Sequence, residues 1–227
     1  MKNFDWLLFD LDNTILDFDK SSKEAFKSLI NHIDNSLDAH NLYPIYHEIN
    51  LEYWEKREAG KISHTELKWK RWHDFFDAHA IDFDPHHSND LYFEGIKENP
   101  FFVDHADTLL NEIQDHEMMI ITNGLSEVQR PRIEAKRLQD FFEHIVISDE
   151  INVAKPQSGF FEHCHDLIDN HQKDRVLVIG DTLKSDILGG NNFGFKTCWY
   201  NHYDKPNNSG IEPDFSIHSI KDLKEII

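Results

Sequence analysis

The chain has 227 residues, 39% of them hydrophobic and 12% aromatic, which suits one generous domain or a domain with an insertion and excludes a disordered chain. Lys and Arg number 23 against 42 Asp and Glu, a formal charge of -19; so acidic a chain lacks the basic face that a nucleic-acid backbone requires, and no nucleic-acid partner is expected. No run of about 18 apolar residues occurs, no signal-peptide pattern opens the chain, and only Cys164 and Cys198 are present, so a membrane span and a disulfide framework are not expected and a reducing cytoplasm is the expected compartment.

The first element lies in FDWLLFDLDNTILDFD, residues 4–19. Residues 4–9 read as a buried strand, and Asp10 and Asp12 follow it directly. A carboxylate at the end of a buried strand is costly unless something neutralises it. Residues 17–100 then change period. Ala25, Phe26, Leu29, Ile30 and Ile33 form one helical stripe, and Trp69, Trp72 and Phe76 another. Ser21 with Glu24 and Ser63 with Glu66 have capping-box spacing, Pro44 suits a first helical position, Gly60 suits a helix end, and a helix near 88–98 closes the segment.

After residue 100 the pattern alternates. Strands are expected at 117–122, 144–148, 175–180, 195–200 and 214–217, with helices at about 104–115, 126–138, 157–170, 184–193 and 219–226. Pro131 inside the second of these helices predicts a kink or a later helix start. Short apolar strands alternating with helices imply βαβ units and a parallel sheet, an α/β Rossmann-like core. The expected domains are therefore an α/β core over 1–16 and 101–227 and a helical domain over 17–100. The insertion leaves and rejoins the core near the end of the first strand, which predicts a lid over the site.

Four short segments carry chemistry, and ligands of such sheets sit beyond the carboxyl ends of the strands. Asp10 and Asp12, at i and i+2 of an extended segment, project to one side; one can attack an electrophile while the other transfers a proton. Thr122-Asn123-Gly124 offers a hydroxyl and backbone N–H groups for phosphate oxygens, with a glycine permitting close approach. Lys155, held before Pro156, can neutralise phosphate and nucleophile together. Asp181 and Asp186, in GDTLKSD, bring two more carboxylates after an apolar strand, and a hard cation such as magnesium fits such a cluster. Each segment alone is a turn, a cap or a solvated loop; all four in order at strand ends point to a site.

DLDNT, TNG, AKP and GDTLKSD resemble, in order, the four motifs of the haloacid dehalogenase-like hydrolase superfamily, and the resemblance covers the whole chain. The helical insertion resembles the cap of its phosphatase, phosphoglucomutase and dehalogenase group. The resemblance implies that Asp10 is the nucleophile and Asp12 the general acid/base. It implies magnesium held by the carboxylates of Asp10 and Asp181 and the main-chain carbonyl of Asp12, with manganese or cobalt as substitutes. Thr122, Asn123 and Gly124 would bind phosphate, Lys155 would neutralise charge, and Asp186 would hold Lys155 or a water on the metal. The core segments are similar to a bacterial pyrimidine 5′-nucleotidase-like branch, which implies a small phosphomonoester substrate such as dUMP, dTMP or UMP.

Rival readings remain open at this stage. A dehalogenase does not need Asp12. A sugar-phosphate mutase, a sugar or glycolate phosphatase, and a non-catalytic binding protein share the fold, though the last would normally have lost one of Asp10, Asp12, Lys155 or Asp181. The histidines at 86–87 and 163–165 lack the spacing of a zinc site, and Tyr53, Trp54, Trp69, Trp72, Phe75 and Phe76 are assigned to the helical core rather than to a base-stacking platform. Phe18 and Asp19 are placed to touch substrate, and Asn201 to approach the cleft. The sequence leaves a monomer and a dimer equally open.

Overall fold

The computed structural model describes residues 3–169 and 171–227. The first two residues of the expected core segment and the last residue of the helix expected at 157–170 lie outside them. Two compact units result: Met1–Phe18 with Pro100–Ile227, and Asp19–Asn99.

The first unit contains a six-stranded sheet formed by β1 (Trp6–Phe9), β2 (Glu117–Thr122), β3 (His144–Ile147), β4 (Val176–Gly180), β5 (Lys196–Tyr200) and β6 (Phe215–Ile217). Their order is β3-β2-β1-β4-β5-β6, and every pairing is parallel. Successive side chains of the central strands serve opposite faces. Leu7, Phe9, Met118, Ile120, Leu177 and Ile179 belong to one apolar core; Trp6, Leu8, Met119, Ile121, Val176 and Val178 belong to the other. Burial on both faces is why these strands read as unbroken apolar runs rather than alternating ones.

The helical unit is built from most of α1 (Phe18–Ile33) with α2 (Ala39–Glu58), α3 (His64–His79) and α4 (Pro85–Glu98). Its core is aromatic: Tyr46 stacks on Trp72 with ring centroids 4.2 Å apart and on Phe26 at 4.9 Å, and Tyr92 meets Trp72 edge-on at 5.2 Å. Trp72, Phe75, Phe76 and Tyr53 are buried there, as expected of a core, while Trp69 lies half-buried against His86. The Ser63–Glu66 capping box is present. Two other local expectations are corrected. Ser21 lies inside α1, its hydroxyl donating to the carbonyl of Asn99, because the helix starts at Phe18. Pro44 lies inside α2, because the Asp38 carboxylate accepts from the N–H groups of His40 and Asn41 and starts the helix earlier.

The connecting helices of the first unit are shorter than their apolar patterns: α5 (Ala106–Glu112), α6 (Ser126–Ala135), α7 (Ser148–Ile151), α8 (Ser158–Leu167) and α9 (Leu188–Phe193). The segment expected as one helix at 184–193 opens with a π-helical turn over Leu183–Ile187, and the C-terminal segment is a 3-10 helix over Ile220–Glu225. Pro131 does not delay α6, which begins five residues before it, at Ser126. The Ser126 N–H donates to the Asp149 carboxylate at 3.0 Å, so α7 caps α6 from outside. Among the described residues, no helix is long and apolar enough to cross a membrane.

The aromatic core sets the stability of the helical unit. Trp72→Ala is expected to cost about 3–5 kcal/mol, whereas Leu51→Ala, at a half-exposed position, is expected to stay within about 0.5 kcal/mol; urea unfolding followed by circular dichroism measures both.

Candidate active site

The sheet order explains how distant motifs meet. From β1 the chain builds outward to β2 and β3, then returns to place β4, β5 and β6 on the other side. The reversal between β1 and β4 is a topological switch point, where open α/β sheets bind ligands. Asp10 follows β1, Thr122 ends β2 and Asp181 follows β4, so the three come from adjacent strands. The Asp10 N–H donates to the carbonyl of Ile179 at 2.8 Å, which continues the β1–β4 ladder to the first residue past the strand.

Lys155 is the hub. Its ammonium is buried and donates to Asp10 Oδ1 at 2.6 Å, to Asp186 Oδ1 at 2.6 Å and to the carbonyl of Ile121 at 2.9 Å. Three donors meet three acceptors, so the group is saturated. Its backbone is fixed as well: the Asn123 side chain accepts from Lys155 N–H and donates to the Lys155 carbonyl, each at 2.9 Å. Thus the Asn123 side chain locks the lysine, while the sequence reading used this residue for its backbone. Asp186 Oδ2 accepts from the Thr182 N–H at 3.1 Å across the π-helical turn. Gly180 is required for this, since a Cβ there would lie 2.3 Å from the Asp186 carboxylate.

Asp12 sits in a different network. Its Oδ1 accepts from Arg132 Nη1 at 2.7 Å and its Oδ2 from Gln129 Nε2 at 2.8 Å. Gln129 Nε2 also donates to Thr122 Oγ1 at 2.8 Å, and Gln129 Oε1 accepts from Arg132 Nη1 at 2.6 Å. Gly124 leaves space for this glutamine: a Cβ at 124 would lie 2.2 Å from Gln129 Nε2. The sequence reading does not single out Gln129 and Arg132. The available signal was their spacing: Val128, Gln129, Arg132 and Ile133 are the buried face of α6, and two of the four are polar.

Asp10, Asp12, Thr122, Asn123, Gly124, Lys155, Asp181 and Asp186 are therefore brought to one edge of the first unit. Asn201 is engaged elsewhere, its amide paired with the backbone of Lys205. Carboxylate oxygens of Asp10, Asp181 and Asp186 lie within 4.8 Å of one another, the one such group of potential metal ligands among the described residues. An all-oxygen donor set suits a hard divalent cation. Desolvation pushes the Asp10 carboxyl well above its usual range despite the adjacent Lys155 ammonium, and Asp186 and Asp181 add to the rise. Desolvation and then the Asp186 charge carry Asp181 up to about 7. Burial alone would lower Lys155, but Asp10 and Asp186 outweigh it and hold the ammonium charged. The cluster thus has one cation too few for its carboxylates, which is the condition a metal ion relieves.

Known proteins resemble the chain over nearly its whole length. Residues 7–200 match the family described as haloacid dehalogenase-like hydrolase. The chain is 32% identical over 225 residues to pyrimidine 5′-nucleotidase YjjG of Escherichia coli, covering 99% of this chain and 98% of that one. It is 30% identical over 226 residues to pyrimidine 5′-nucleotidase PynA of Streptococcus pneumoniae, covering 99% and 95%. Among solved structures, the magnesium-bound putative HAD-hydrolase YfnB of Bacillus subtilis superposes with a TM-score of 0.91 at 30% identity, covering 99% of each chain.

Lys155→Met removes the one cation that touches Asp10 among the described residues and leaves two buried carboxylates facing each other. In metal-free buffer at pH 8 it is expected to cost about 3–5 kcal/mol by urea unfolding, and a second substitution, Asp186→Asn, is expected to recover part of the loss.

Proposed function

The chain belongs to the haloacid dehalogenase-like hydrolases, and we propose that it is a magnesium-dependent phosphomonoesterase acting on pyrimidine nucleoside 5′-monophosphates through an aspartyl phosphate at Asp10. The observation that carries the chemistry is the buried Lys155 ammonium 2.6 Å from Asp10, with a second aspartate two residues on. The lysine offsets part of the cost of ionising the nucleophile in a desolvated place. The substrate class rests on the full-length likeness to two pyrimidine 5′-nucleotidases.

In the first step an Asp10 oxygen bonds to phosphorus, the bond from phosphorus to the ester oxygen breaks, and Asp12 gives its proton to the leaving alkoxide. In the second, Asp12 takes a proton from water, the water oxygen bonds to phosphorus, and the acyl phosphate bond breaks to return Asp10 and release phosphate. The Thr122 hydroxyl and the Asn123 N–H hold phosphate oxygens, Gly124 gives its own N–H to Thr122 Oγ1 instead, and Lys155 balances the charge that gathers on Asp10. The Asp10 and Asp181 carboxylates and the Asp12 main-chain carbonyl would hold the magnesium ion, which when bound offsets carboxylate and phosphate charge; manganese and cobalt are candidate substitutes. Asp186 serves Lys155. The helical unit, inserted directly after the β1 loop, is assigned the role of a substrate-selecting cap.

A phosphate-release screen over nucleoside monophosphates, sugar phosphates and phosphoglycolate tests this. Preference for dUMP, dTMP or UMP, abolished by Asp10→Asn and by EDTA, is the expected result; preference for a sugar phosphate would retain the chemistry and replace the substrate.

Cation binding must also depend on pH. Asp181, titrating near 7, has to lose a proton to become a ligand, so below that pH binding works against protonation and above it does not. The rise in melting temperature on adding magnesium is expected to be larger at pH 8 than at pH 6, with proton release in calorimetry at the lower pH.

A further inference from the structure

The Gln129–Arg132 pair calls for an explanation that packing does not supply. The Arg132 side chain is fully buried, and its Nε and Nη2 have no hydrogen-bond partner among the described residues. Its one ionic partner among the described residues is Asp12, itself partly exposed, and its guanidinium lies over the Phe18 ring at 5.5 Å. Replacing such a pair by apolar residues is often neutral or stabilising. Val128 and Ile133 on the same helical face show what packing alone would select.

The geometry shows what the pair does instead. Every polar atom of Gln129 is used, and only one orientation of its amide satisfies them. Reversed, its oxygen would face the Asp12 carboxylate and its NH2 would face the Arg132 donor. In the observed orientation Thr122 Oγ1 accepts from Gln129 Nε2 and from the Gly124 N–H, so the hydroxyl has only its own hydrogen left to offer. A phosphate oxygen is an acceptor and needs that hydrogen.

We propose that Gln129 and Arg132 are positioning residues for phosphoryl transfer: together they fix the Asp12 carboxyl group, and Gln129 also commits the Thr122 hydroxyl to donate to a phosphate oxygen. The inference rests on the phosphomonoesterase reading above. It assigns two residues of α6 a role in the proton-transfer half of the reaction, each acting through Asp12 or Thr122 rather than on the substrate.

The test compares two esters that differ in their need for an acid. An alkyl ester such as a nucleoside 5′-monophosphate leaves as an alkoxide and needs a proton; 4-nitrophenyl phosphate leaves as a stabilised phenolate and does not. With magnesium present, kcat and KM are measured on both for the wild type, Arg132→Met, Arg132→Lys, Gln129→Met and the reference Asp12→Asn. Arg132→Met is expected to lower kcat/KM on the alkyl ester about 100-fold and on the aryl ester by less than about five-fold, the selective loss expected when acid catalysis of the first step fails; hydrolysis of the aspartyl phosphate, common to both esters, does not enter kcat/KM. Arg132→Lys is expected to recover part of it, and Gln129→Met to add a rise in KM on both esters through Thr122. If Arg132→Met does not fold, the lysine and glutamine variants carry the comparison. Equal losses of kcat/KM on both esters, no loss, or a higher kcat/KM on the alkyl ester would overturn the proposal while leaving the phosphomonoesterase intact. A folded wild type that releases phosphate from neither ester, or an Asp10→Asn variant that retains activity, would overturn the phosphomonoesterase reading and this assignment with it.

Discussion

The buried ammonium of Lys155 is the constraint around which the α/β unit is arranged. At 2.6 Å and an effective dielectric near 20, each of its two carboxylate contacts is worth about 6 kcal/mol of attraction. Desolvating three charged groups costs several kcal/mol apiece, so attraction and cost are of the same order. The balance does not fully close for Asp10, whose carboxyl stays well above its usual range. That residual cost answers the question posed by an aspartate at the end of a buried strand. The lysine meets part of it, and the proposed cation meets the rest.

Such a hub tolerates little movement, and the structure fixes it from several directions. Asn123 clamps the Lys155 backbone from the end of β2, Ile121 supplies its third acceptor, and the π-helical turn after β4 presents Asp186. The extra residue in that turn lets one Asp186 oxygen satisfy the Thr182 N–H while the other meets the ammonium. Two glycines work by what they leave out: Gly180 makes room for Asp186 and Gly124 for Gln129. The second network, through Gln129 and Arg132, holds Asp12 from α6, so the two aspartates of DLDNT are anchored by different elements. This separation suits a nucleophile and a proton carrier, which must stay close in space and keep distinct environments.

Much of this was legible in the chain. Apolar runs ending in Asp10, Thr122 and Gly180 mark parallel strands buried on both faces, because such strands need no polar side. The sequence also shows that the segment from 17 to 100 follows a helical period. Less legible were helix limits. Ser21 has capping-box spacing but sits inside α1, and Pro44 and Pro131 sit inside helices that other residues start. Caps compete, and the winning one depends on which backbone groups a neighbouring element satisfies; Asp149 capping α6 from α7 is an example. Gln129 and Arg132 escaped notice because a polar residue at an apolar position carries no sign of its partner, which here lies more than a hundred residues away.

The sequence by itself determined the types and order of the elements and the chemistry at each strand end, since both follow from local composition and period. Only the tertiary structure decided which groups meet: that Lys155 bonds Asp10 and Asp186 together, that Asn123 serves the lysine through its side chain, and that α6 reaches Asp12. Those contacts depend on the strand order β3-β2-β1-β4-β5-β6. Strand order arises from the packing of the whole sheet, in which neighbours in space are distant along the chain, and no local pattern records it.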